Sequence, residues 1–220
     1  MSHINIQTKL GALDLQVQVS FTHEIIIISG ENGAGKTSLL RCIAGLQGCA
    51  GSILVNEKLW LDSAAGFELA TGKRKLGFVW AEEVLLPWLD VAHNIQLGIA
   101  QEDKLWFTKV CEQLEISHLL KRTPAMLSTG EAQRVSLARA IYGKPSMLLL
   151  DEPFSAQAPD IRARLRQVLK TMQQTLAIPL LMISHDAEDA KALAGQHWRM
   201  REGKLMLEVQ TQQQKVKKHE

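Results

Sequence analysis

Leu13, Leu15, Val17 and Val19 are apolar, and Asp14, Gln16 and Gln18 between them are polar. Strict alternation of this kind predicts a strand with one wet face, in an antiparallel sheet. Residues 25–28 break that rule: four consecutive isoleucines predict a strand buried on both faces. A glycine-rich turn follows, and Leu39, Leu40, Ile43 and Leu46 then recur at helical spacing, predicting a helix over 36–46. Residues 53–55 and 59–61 flank Asn56-Glu57 as a hairpin, and 76–80 is a further short strand. From Pro87 to about Pro124 the pattern is helical; Leu105, Val110, Cys111 and Leu114 mark one amphipathic helix, and 118–121 extends the unit. Residues 147–150 and 180–183 are short apolar runs of the kind found in buried parallel strands. Residues 198–200 and 204–209 meet at Glu202-Gly203 as a second hairpin, and TQQQKVKKHE is a polar tail. The chain is thus expected to be one α/β domain over 1–220: a core with an antiparallel β subdomain from 1–80 and 145–209, a helical subdomain over about 83–143, and a tail at 210–220.

Composition narrows the function classes. With 46% hydrophobic and 22% charged residues, 220 residues can bury a full core. Lys+Arg of 25 against Asp+Glu of 23 leaves a net charge of +2, which argues against nucleic acid as the main partner. Cys42, Cys49 and Cys111 are odd in number and show no CxxC spacing, so reduced thiols are expected rather than a disulfide framework or a zinc site. The start, MSHINIQTKL, has no signal-peptide core, and no stretch approaches the ~18 apolar residues of a membrane helix. Contact with a membrane is expected to come through a partner.

Gly30-Glu31-Asn32-Gly33-Ala34-Gly35-Lys36-Thr37 fits G-x-x-x-x-G-K-[ST] in full, with a buried strand before it and a helix after it. Glycines let the backbone curl so that N–H groups surround phosphate oxygens, and the helix start adds its partial positive charge. Lys36 can reach the β- and γ-phosphates, and Thr37 can offer a hydroxyl to Mg2+. Lys36 is expected on a solvent-facing loop, where its loss costs little stability. Asp151-Glu152 ends an apolar strand: Asp151 suits Mg2+, and Glu152 could orient or deprotonate water. Alone, that pair reads equally as a strand-end turn before Pro153. Ser128 and Glu131 form an S-x-x-E capping box, and Ala132, Val135, Ala138 and Ile141 give the helix behind it a buried face. Its N-terminus could also hold an anion.

With these motifs in this order, the sequence resembles the ATPase subunit of ABC transporters over roughly residues 4–209. LSTGE, at 127–131, resembles the family signature LSGGQ or LSGGE with Thr129 for a glycine, and Ile183-Ser184-His185-Asp186 matches the segment carrying the family's switch histidine. The resemblance implies a P-loop NTPase fold. It implies ATP and Mg2+ as cofactors, ATP held by residues 30–38 including Ser38, and a homodimer paired head-to-tail. In such a dimer Ser128, Gly130 and Glu131 would close on the partner's nucleotide, Thr37 and Asp151 would hold Mg2+, Glu152 would act as base, and His185 would sense the γ-phosphate. A lone histidine near a strand end is otherwise more often structural. The resemblance further implies integral membrane permease subunits, a periplasmic or extracellular solute-binding protein, and a peripheral location on the cytoplasmic face of the inner (plasma) membrane.

Three departures stand out. The family's V-F-Q reads Val79-Trp80-Ala81 here, with Glu82 one residue out of register as a substitute. S-A-L-D reads Ser155-Ala156-Gln157-Ala158, with Asp160 behind the stiff Pro159. No Tyr, Trp or Phe precedes Phe21, where the family often stacks adenine. These losses leave the phosphate site whole and thin out the hydrolytic apparatus, so turnover is expected to be weak. GAGKTSLLRCIAGL, GSILVN with LWLD, and KRKLGFVW are similar to molybdate-importer ATPases, and Leu85-Leu86-Pro87-Trp88 is similar to importers of organic sulfonates or nitrate. Molybdate ATPases often carry a C-terminal oxyanion-binding domain, which a chain stopping at Glu220 is expected to lack. Leu85, Leu86 and Trp88 are either a docking face for the membrane subunit or core of the helical insertion. Two rivals remain at this point: a non-transport ABC ATPase of DNA repair or translation, and a nucleotide-gated protein that barely hydrolyses.

Overall fold

The computed structural model describes residues 1–82, 84–193 and 195–208. Residues 209–220, with the expected end of the second hairpin and the polar tail, lie outside the described residues, as does Glu83 at the expected start of the helical subdomain.

Among the described residues, five parallel strands form one end of an 11-stranded sheet. They are β3 (Ile25–Gly30), β7 (Leu76–Val79), β8 (Met147–Asp151), β9 (Leu180–Ile183) and β10 (Gln196–Arg201), running β7-β8-β9-β3-β10 across the sheet. β1 (Ser2–Leu10), β2 (Leu13–Phe21), β4 (Ala50–Val55), β5 (Lys58–Asp62) and β6 (Phe67–Glu68) pair antiparallel in the order β6-β5-β4-β1-β2. The antiparallel part is not a separate sheet. It continues into the core through β11 (Lys204–Leu207), which hairpins with β10 and meets β2 at Lys204 and Gln16.

β3, β8 and β9 are buried on both faces because alternate residues feed two different cores. Ile25, Ile27, Leu148, Leu150, Leu180 and Met182 point into one cluster. There they meet α2 (Val91–Ile95), α3 (Lys104–Gln113), α4 (Thr129–Tyr142), α5 (Pro159–Leu176) and α6 (Ala187–Leu193). Ile26, Ile28, Met147, Leu149, Leu181 and Ile183 point into the other, against α1 (Lys36–Ala44) and the inward faces of β1, β2 and β4. The unbroken apolar run is therefore two interleaved period-2 patterns, each satisfied on its own side.

Local signals explain the element ends. Asn56 and Glu57 both take positive φ, 47° and 64°, which is the hairpin turn their position demands. Asp90 and Asp103 cap α2 and α3 by accepting from the backbone N–H groups of His93 and Trp106. The capping box at α4 forms as expected, and its buried face is Ala132, Val135, Ala138 and Ile141.

Several expectations need correction. Leu105 is 87% exposed; the buried face of α3 is Trp106, Val110 and Cys111, with Trp106, Val110 and Leu114 spaced four apart, and Leu105, five residues before Val110, falls off that stripe. Leu46 lies beyond the end of α1 and is exposed. Residues 117–119 make only a short 3-10 turn. β1, α5 and α6 were not anticipated, although Ile161, Leu165, Val168, Leu169 and Met172 repeat at helical spacing behind a Pro at the first helical turn.

Arg74 fastens the phosphate-loop helix from behind. Its buried guanidinium donates to the carbonyls of Ile43 at 2.7 Å and Cys42 at 3.4 Å, satisfying the negative end of α1. It also donates to Leu69 O at 2.9 Å and pairs with Glu68 at 3.1 Å. Arg74→Ala is therefore expected to lower the unfolding free energy by about 2–4 kcal/mol, since four acceptors lose a buried cation. Urea denaturation checks this as a lower midpoint with an unchanged slope. An unshifted midpoint would remove Arg74 from this role.

Candidate nucleotide-binding site

The register of the parallel strands brings the site together. Asp151 is opposite Ile183 on β9, and Ile28 is opposite Ile183 from the other side. The C-terminal ends of β3, β8 and β9 thus arrive side by side, carrying the glycine-rich loop, the acidic pair and His185. Asn32, Gly33, Gly35, Lys36, Thr37, Ser38, Asp151, Glu152 and His185 all line one cleft of about 420 Å³. Leu10, Leu13 and Ile183 supply its apolar wall, which the sequence reading did not anticipate.

The remaining phosphate-loop positions serve differently. Gly30 has φ of 143°, and a Cβ there would stand 2.2 Å from the carbonyl oxygen of Met200, so only glycine lets β3 and β10 approach this closely. Glu31 and Ala34 face a neighbouring hollow of about 540 Å³, with Arg199 and Arg201. α1 starts at Lys36 behind Gly35 as N-cap, and no side chain caps it, so its first N–H groups are open to an anion.

Lys36 is not on the solvent-facing loop that was expected. It is 7% exposed, and its ammonium donates to Gly30 O at 2.7 Å and Glu31 O at 2.8 Å. The loop curls around the lysine's own charge. Burial lowers its pKa, and the nearby carboxylates of Glu152 and Asp151 oppose that.

Thr37 Oγ1 donates to Asp151 Oδ2 at 2.8 Å. Adjacent ligands of an octahedral Mg2+ with bonds of 2.0–2.1 Å stand about 2.9 Å apart. A hydroxyl and a carboxylate oxygen at this separation are hard donors spaced for that ion, so the residues present fit Mg2+.

Glu152 is held under constraint. Its φ is 50°, unusual for a residue before proline. Its N–H donates to Ile183 O at 3.1 Å, and its carbonyl accepts from Gln133 Nε2 at 3.0 Å. Burial, with Asp151 beside it, pushes its carboxyl up to about 7. His185 Nε2 is 3.4 Å from Glu152 Oε1. Behind the histidine, Arg162 and Arg166 of α5 grip Asp186 and the buried Asp189, and Ser184 donates to Asp189. This network fastens the residues on both sides of His185. It was not legible in sequence, because its members come from separate elements at no recognisable spacing.

Ser128, Gly130 and Glu131 do not line the cleft. They sit at the start of α4, where Ser128 N and Oγ each donate to Glu131 Oε2 at 2.8 Å. Those bonds hold the Glu131 carboxyl below its ordinary range, so a carboxylate already shares the positive end of this helix. Ala81 lines the cleft with a methyl group, and Glu82 does not. Trp88 is 73% exposed and Val84 is also exposed, whereas Leu85 packs against the helical core. No helix among the described residues is long and apolar enough to cross a membrane.

A strand–glycine-rich loop–helix unit beside an acidic strand end, with a capped helix between them in sequence, defines a P-loop cassette fold. The ABC transporter family matches residues 14–155, and the chain belongs to that family. It is 40% identical over 188 residues to the molybdenum import ATP-binding protein ModC 1 of Azotobacter vinelandii, covering 83% of this chain and 52% of that protein. It is 37% identical over 208 residues to ModC of Haemophilus ducreyi, covering 94% and 59%. The chain thus spans little more than half the length of these curated relatives. Among solved structures, the ATP-binding cassette MJ0796, a dimer in a post-hydrolysis state with ADP and Pi, superimposes with a TM-score of 0.77 at 23% identity, over 93% of this chain and 95% of that one. That likeness establishes the fold.

Proposed function

We propose that this chain is the ATP-binding subunit of a membrane importer. Two copies would pair head-to-tail around two MgATP, hydrolyse them and separate, driving import of an oxyanion such as molybdate. One observation carries the reading: Lys36, Thr37, Asp151, Glu152 and His185 converge in one cleft at the open start of α1. The molybdenum-import relatives support the substrate class.

In this mechanism the amides of residues 30–38 and the Lys36 ammonium hold the β- and γ-phosphates. Thr37 and Asp151 would hold Mg2+, which would neutralise charge on the phosphates. Glu152 takes the proton of the attacking water, and a base poised near neutrality is effective there. His185 senses the γ-phosphate beside it. Ser128, Gly130 and Glu131 close on the nucleotide of the opposite copy. The core and β subdomain, 1–80 and 145–209, carry the nucleotide, and the helical subdomain, about 83–143, faces the partner. Integral permease subunits would dock around exposed Val84 and Trp88, at the cytoplasmic face of the inner membrane, with a periplasmic or extracellular solute-binding protein delivering the cargo.

A second reading, a nucleotide-gated subunit with weak hydrolysis, is favoured by Ala81. A methyl group faces the cleft where a carboxamide would reach the attacking water.

Lys36→Ala should raise the ATP dissociation constant at least tenfold, about 1.4 kcal/mol, in a protein that circular dichroism shows to be folded. Calorimetry reads it, and a change under about threefold would mean a different phosphate site. Glu152→Gln keeps size and hydrogen bonding but cannot take a proton. Hydrolysis should fall by ~10²-fold or more, and gel filtration with MgATP should show a persistent dimer. A monomer with normal turnover would exclude Glu152 as base. Ala81→Gln should raise turnover with little change in ATP affinity, while Glu82→Ala should leave the rate alone. A rate lost in Glu82→Ala would mean that Glu82 swings into the cleft.

A further inference from the structure

Gln157 lies in the turn between β8 and α5, and its carboxamide is fully engaged with the signature helix of the same chain. Its Nε2 donates to Gly130 O at 2.8 Å and to Gln133 Oε1 at 3.1 Å, and its Oε1 accepts from Arg134 Nη1 at 3.1 Å. Gln133 continues the path. Its Nε2 donates to the carbonyl of Glu152 at 3.0 Å and to Ser155 Oγ at 3.1 Å, and its Oε1 accepts from Ala156 N at 3.3 Å. The backbones also meet: a Cβ on Gly130 would stand 3.0 Å from Ala156 O. A continuous set of hydrogen bonds therefore joins the start of α4 to the backbone of Glu152. A side chain of similar volume without the amide, such as leucine, would fill the space and make none of Gln157's bonds.

We infer that Gln157 is a positioning residue that locks the signature segment, residues 128–131 at the start of α4, to the turn carrying Glu152, so that the two move as one piece. The inference rests on the head-to-tail reading above. In that dimer the signature serves the opposite copy's nucleotide and Glu152 serves its own, so the lock ties closure on one nucleotide to alignment of the base at the other. Arg134 makes one of the three bonds charge-assisted, and Gly130 makes the close approach possible.

The test uses the full chain and its Gln157→Ala and Gln157→Leu variants. Hydrogen exchange of the nucleotide-free proteins should be faster at the amides of 129–132 and Ala156 and unchanged in β8 and β9. In ATPase assays kcat should fall about tenfold while KM for ATP stays within about twofold, because the phosphate loop is untouched and only alignment is lost. Gln157→Glu keeps an acceptor for Arg134 but cannot donate to Gly130, and should resemble the alanine variant. Unchanged exchange in folded variants would overturn the lock. Faster exchange with unchanged kcat, or a raised KM with unchanged kcat, would overturn the positioning role. If the parent neither turns over MgATP nor dimerises as Glu152→Gln, the proposed function falls and takes the positioning role with it; the exchange comparison still reads the lock alone.

Discussion

Everything in this molecule depends on β3 being buried on both faces. Four isoleucines leave no side of the strand that could face water, so it must sit in the interior between β9 and β10. Parallel pairing there aligns the ends of β3, β8 and β9, and it is at those ends that the phosphate loop, Asp151 and Glu152, and His185 are attached. The two faces also seed the two cores, one under the helices and one around α1. Burial of apolar surface, rather than any interaction among the polar groups, brings the polar groups together.

The polar groups then sit in an environment that works against them one at a time. Lys36 is buried and wrapped by its own loop's carbonyls, and Glu152 is half-buried next to another carboxylate in a left-handed conformation. Each would be costly alone, and each is held by backbone, Lys36 by the carbonyls of Gly30 and Glu31 and Glu152 by that of Ile183. Groups kept ready this way need little rearrangement when charge develops on a phosphate, which is the sense in which a rigid fold contributes to chemistry. Arg74 at the far end of α1 and the Arg162–Asp189 network behind His185 serve the same end from outside the cleft.

Two of the three departures from the family pattern fall on loops, and the fold treats them differently. At Ala81 nothing replaces the missing carboxamide, since Glu82 does not line the cleft. At Gln157 the altered loop makes a full set of hydrogen bonds to α4. One change removes a group from the cleft, and the other adds a tie between two loops.

The phosphate loop, the acidic strand end, the capping box and most central strands could be read from the sequence alone. Each is specified within a few residues, by glycine spacing, an unbroken apolar run, or a serine three places before a glutamate. What could not be read depends on contacts between distant segments. The exposure of Leu105 follows from which face of α3 meets the core, and the burial of Lys36 from the path its loop takes over β3. The pairing of Thr37 with Asp151, the grip of two arginines on Asp189, and the engagement of Gln157 with Gly130 join residues whose separation in sequence carries no period. Local spacing determined which chemical groups this protein has. Strand register, set by burying both faces of β3, decided which of them meet.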